Sequence, residues 1–169
     1  MTNRATRMQE NAARTTGWAV VAALAALAVA VPAQAAGIGP RMGLAVNPDQ
    51  VNFGFQVHAA DMVPHLGFVP SFEAGVGDNL VTFTANMDLK YVFTQGPSTW
   101  RPYVGGGPDV FFANPTRDRY NGESSTDVGM NIFGGMQTPT RSGYFFTEMR
   151  LGIIDSPDIK FTVGWQFLR

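Results

Sequence analysis

His58, Asp61 and His65 form the one cluster of metal-ligating residue types in this 169-residue chain. Zinc takes three or four convergent ligands. Two imidazoles and one carboxylate in the stretch HAADMVPH, which reads as a turn, fall short, and no metal site is expected. A hydrolase or acyltransferase needs a nucleophile within reach of a base and an acid. Ser124 and Ser125 lie in a polar connection, and both histidines fall at the opposite end of the strand pattern. Glu148 and Arg150 read as interior packing rather than as a general acid and its partner. Gly105-Gly106-Gly107 has neither the Lys-Ser/Thr nor the helix start of a phosphate loop. The absence of cysteine excludes disulfides, thiolate metal sites and lipid attachment through an N-terminal Cys. Neither a catalytic residue nor a cofactor is expected.

The remaining residues able to do chemistry are charges: Glu73, Asp88, Asp109 and Glu148, against Lys90, Arg101, Arg150 and Lys160. All eight fall on the polar faces of alternating segments. The clearest is 80–93, where Val81, Phe83, Ala85, Met87, Leu89, Tyr91 and Phe93 alternate with Thr82, Thr84, Asn86, Asp88 and Lys90. A period of two over that length predicts a strand. Similar runs are expected over 41–47, 50–58, 66–77, 100–112, 127–137, 143–153 and 158–169, making eight strands. Turn residues separate them at 47–49, 77–79, 95–98 and 155–158. One connection, 113–126, is long and polar and carries Arg117, Asp118, Arg119 and Tyr120, the expected surface loop.

Composition agrees. Charged residues make up 15% of the chain, below the roughly 25% of soluble domains, with 19 glycines and 12% aromatics. Arg4, Arg7 and Arg14 precede an uncharged apolar run at 18–31 and then Pro32-Ala33-Gln34-Ala35, the pattern of a cleavable signal peptide cut after Ala35, with Met8 an alternative start. Fourteen apolar residues are too short to span a bilayer core of roughly 30 Å. Losing residues 1–35 removes three arginines and one glutamate. The domain at 36–169 then has nine basic and twelve acidic residues, a net charge of −3, with no basic stripe for nucleic acid.

Alternation fits two opposite barrels. A soluble lipocalin-like ligand-binding barrel turns its apolar face inward; a membrane barrel turns it outward. Three features favour the second. Glycines (Gly43, Gly54, Gly75, Gly105, Gly107, Gly129, Gly135, Gly164) crowd the polar faces, as a narrow lumen requires. The polar-face charges balance four against four, as burial requires. Aromatics on the apolar face (Phe53, Phe68, Tyr91, Phe93, Trp100, Phe112, Phe145, Phe167) sit toward strand ends, like interfacial girdles. On this reading Lys90 holds a lumen carboxylate: Asp88, Glu148 or a neighbour.

The stretches 68–93, 100–112 (WRPYVGGGPDVFF) and 147–167 (TEMRLGIIDSPDIKFTVGWQF) resemble the outer-membrane β-barrel family of the OmpA and OmpX transmembrane domains and the opacity proteins. The resemblance covers nearly all of 36–169. It implies an eight-stranded antiparallel up-and-down transmembrane barrel, an outer-membrane location, outer-membrane lipid around it and the outer-membrane assembly machinery as a partner. It does not imply one function. Members usually end in an aromatic residue; here Phe167 is followed by Leu168 and Arg169. A monomer with a structural or surface-interaction role is expected. A lipid-modifying enzyme, a soluble ligand-binding barrel and a gated pore are the alternatives.

Overall fold

A computed structural model describes residues 37–77, 80–94, 98–115, 125–154 and 157–168. The signal-peptide segment 1–35 and the loop residues Arg117, Asp118, Arg119 and Tyr120 lie outside the described residues.

The strands are β1 (Gly37–Val46), β2 (Gln50–His58), β3 (Ala60–Val63), β4 (Leu66–Gly77), β5 (Leu80–Val92), β6 (Arg101–Pro115), β7 (Ser125–Thr140), β8 (Gly143–Ile154) and β9 (Ile159–Leu168). β2 and β3 are two parts of one wall strand. They part at Ala59, whose N–H still donates to the Phe68 carbonyl at 2.9 Å. Eight wall strands result, all antiparallel to their neighbours, and the sheet closes through the β1–β9 and β2–β4 pairings.

Register fixes the geometry of closure. From Arg41, partners through β2, β4, β5 and β6 lead to Asp127 on β7. In the other direction, through β9 and β8, they lead to Gln137 on the same strand, ten residues away. A stagger of ten residues over eight strands tilts the wall by about 40°, given a rise of ~3.3 Å per residue and strands ~4.8 Å apart. Such a barrel is just wide enough for side chains to fill.

The wall is inside-out relative to a soluble protein. Among the described residues, eighteen polar or charged side chains are buried against eight apolar ones, while Met42, Phe53, Phe83, Ile132, Met149 and Phe161 are exposed. The best strand shows the rule residue by residue: Phe83 and Leu89 are 55% and 40% exposed, Thr84 and Lys90 are 6% and 5%. The lipocalin-like alternative fails on this observation, because its apolar face would be the buried one.

The stretch 58–65, read as a turn, contains β3, which stays extended because it pairs with β4, and boundaries differ from the alternation elsewhere too. β1 begins at Gly37, four residues before the first alternating pair, because Gly37 and Ile38 still pair with both His58–Val57 and Leu168–Phe167. β6 and β7 extend into the expected loop, where Ala113 pairs with Ser125 and Leu80 with Pro115. β7 also continues to Thr140 through its pairing with β8. Pairing on both sides keeps a strand extended after its hydrophobic signal has ended.

Candidate functional site: the charged lumen and the two rims

Six charged side chains form a continuous chain of alternating sign across the lumen: Lys160, Glu73, Arg41, Glu148, Arg150, Asp88. Lys160 on β9 pairs with Glu73 on β4. Arg41 on β1 reaches Glu73 through Nε at 2.7 Å and Glu148 on β8 through Nη2 at 2.9 Å. Arg150 grips Asp88 on β5 with both Nη atoms, at 3.0 and 2.7 Å, and shares Glu148 at 3.0 Å. Such two-point forks are the strongest ion pairs. Each member is buried, so each charge requires its partners. β6 and β7 separate β5 from β8, so the chain cross-links strands that share no backbone hydrogen bonds.

Amides complete the site. Asn131 accepts from Arg150 at 2.7 Å and donates to Asp109 at 2.9 Å. Gln56 accepts from Arg41 at 3.2 Å and donates to Gln166 at 2.7 Å. Asn86 donates to Ser71 at 3.0 Å.

Toward the end that carries Gly37 and Leu168, the lumen turns aromatic. Lys90 Nζ lies 4.2 Å from the Tyr103 ring centroid, 4.7 Å from Tyr144 and 5.9 Å from Phe146. The Tyr103 hydroxyl shares its one proton between Glu148, at 3.2 Å, and the Thr147 carbonyl, at 3.1 Å, joining this plug to the ion chain. The lumen glycines make the plug fit. Tyr103 lies over Gly135 and Phe146 over Gly164, each pair in direct register, and a Cβ on either glycine would come within about 2.5 Å of the ring. Small residues therefore admit particular rings as well as relieving general crowding.

Of the eight charges expected in the lumen, Glu73, Asp88, Lys90, Asp109, Glu148, Arg150 and Lys160 are buried there. Arg101 is not. It opens β6 at the rim, exposed to water that removes any need for a partner. Arg41 stands in its place and keeps the buried charge at four against four. Arg41 was missed because the alternation started at that residue, which suggested a strand end; the four residues before it carry it to mid-wall. Lys90 also differs from expectation: Asp88 and Glu148 are held by Arg150 and Arg41, and Lys90 sits among rings.

His58 Nε2 meets Asp61 Oδ1 at 2.8 Å, while His65 turns to the Tyr91 ring at 6.4 Å, so the three do not converge. Ser125 stands at the far end of the barrel from both histidines, and Ser124 lies outside the described residues.

Among the described residues the outer surface has one dense aromatic girdle. Trp100, Phe145, Trp165 and Phe167 contact in series with centroids 6.4, 6.0 and 6.4 Å apart, and Tyr91 meets Phe93 at 5.1 Å, all at the end of Gly37 and Leu168. Phe68 is near that end, Phe112 near the other, and Phe53 in mid-wall, so the expected second girdle is sparse.

No family model matches the chain, and no curated protein sequence matches it. Solved structures share its fold, two of them as follows. Neisserial surface protein A is 12% identical with a TM-score of 0.62, covering 79% of this chain and 95% of that one. The N-terminal β-barrel domain of Pseudomonas aeruginosa OprF is 12% identical with a TM-score of 0.61, covering 79% and 98%. With apolar residues outside, an ion chain inside and these neighbours, the chain has the fold of the small eight-stranded outer-membrane β-barrels.

Proposed function

We propose that the chain is exported by its N-terminal segment to the outer membrane. There it acts as a closed, non-catalytic barrel that anchors surface loops, above all the connection between β6 and β7. The supporting observation is the ion chain from Lys160 to Asp88, which crosses the lumen with paired, buried charge. An open pore would have to break several buried pairs at once. The likeness to a Neisserial surface protein supports a role at the cell surface.

The test is reconstitution. Folded protein added to planar bilayers should give no steady conductance, and outer-membrane fractions should hold a form whose electrophoretic mobility shifts on boiling. Steady single-channel currents would replace the closed barrel with a pore. Trypsin added to intact cells should cut at Arg117 or Arg119; full protection, with other surface proteins cleaved, would place this loop elsewhere.

A further inference from the structure

The two rims differ in charge. At the end of Gly37 and Leu168, Arg101 and Arg141 are exposed, and neither forms an ion pair among the described residues. The exposed acid at that end, Asp61, is held by His58. At the other end Asp49 and Asp158 are exposed and Asp127 is half-buried, and no described basic side chain is exposed there. Arg101 opens β6 and Arg141 follows the end of β7, its paired neighbour. Arg101 directly follows Trp100, and Arg141 lies just past Thr140 at the end of β7, between β6 and β8, so both stand at the rim beside the series Trp100, Phe145, Trp165 and Phe167.

Aromatic girdles sit at headgroup level in a bilayer. A cation just past the girdle meets the phosphate layer, where each basic residue attracts anionic lipid. We infer that the rim from β6 to β9 is a docking surface for anionic glycerophospholipid headgroups, with Arg101 and Arg141 as the charge contacts and the aromatic series as the seat of the acyl–glycerol region. The occupant follows from charge complementarity: two unpaired cations on this rim, against acids on the opposite one. The inference rests on the membrane reading proposed above.

The barrel carries its own reporters, because Trp100 and Trp165 both lie in the girdle and the third tryptophan is Trp18. The full chain bearing Trp18→Phe is folded into vesicles of phosphatidylcholine mixed with phosphatidylglycerol, one lipid at a time brominated. Tryptophan quenching should show phosphatidylglycerol preferred roughly three- to tenfold at low salt, decaying as salt screens the charges. The preference should vanish in R101Q/R141Q and persist in R101K/R141K. Equal quenching by both lipids, or a preference unchanged in R101Q/R141Q, overturns the inference. So does a loss caused by inorganic phosphate far beyond that caused by chloride at equal ionic strength, which would mark a free-phosphate site. The boiling shift is read in the same vesicles. A chain that never shows it overturns the membrane reading and this inference together; a folded chain without preference overturns this inference alone.

Discussion

Arg150 and Lys90 are both buried lumen cations, yet the barrel holds them in opposite ways. Arg150 sits at mid-lumen with two carboxylates, two asparagines and the Phe133 ring around it. Lys90 sits nearer the end of Gly37 and Leu168 among three aromatic rings. A planar guanidinium has donors for several acceptors at fixed angles, so it can be the hub of a network. An ammonium is a compact charge that a ring quadrupole can face from any side. The lesson is that removing each cation leaves a different debris: stranded carboxylates in one case, empty rings in the other.

The largest effect should therefore come from Arg150→Met. It leaves Asp88 without its fork and Glu148 with one partner fewer, at a cost of about 3–5 kcal/mol. Urea unfolding of the vesicle-folded barrel, followed by the boiling shift, measures it. Adding Asp88→Asn should recover part of the loss, because the stranded charge is gone; no recovery would mean the fork carries no coupling.

Next comes Leu89→Arg, one residue from Lys90 on the opposite face. A charge facing hydrocarbon costs roughly 2–4 kcal/mol at mid-bilayer and less toward an interface. Leu89 lies two residues from Tyr91 of the girdle, so the lower part of that range is expected. Fluorophores at positions 83 and 89 should be quenched by lipid-borne quenchers, and those at 84 and 90 should not. Quenching at 84 and 90 instead would reverse the wall.

The smallest loss is expected from Lys90→Met, about 0.5–2 kcal/mol, the range of a cation–π contact. Methionine keeps much of the volume between the rings. A cost matching Arg150→Met would show that Lys90 holds a carboxylate, as the alternation alone had suggested, and would erase the contrast between the two cations.

Much of this was legible in the chain itself. Period-two alternation determines which residues share a face, and it does so without long-range information, because successive Cβ atoms point to opposite sides of a strand. Thr84 and Lys90 fall on the same face as Asn86 and Asp88 by counting alone. Balanced charge and glycine on the polar faces then select the inside, because a lumen must pair its charges and a soluble surface need not. The turn residues count the strands, and eight strands bound the width of the interior.

What alternation could not supply is height and partner. Arg41 and Arg101 look alike in sequence, each a basic residue near the start of an alternating run on the polar face. One lies at mid-wall and the other at the rim, because where a strand begins is decided by its pairing with both neighbours. The partner of each buried charge depends on the ten-residue stagger of the closed sheet, which brings β4 to face β9 and β5 to face β8 across the lumen. That stagger is a property of closure around the whole ring. It appears in no single strand, and so only the tertiary structure decided that Arg150 would become the hub of an ion network and Lys90 the occupant of an aromatic cage.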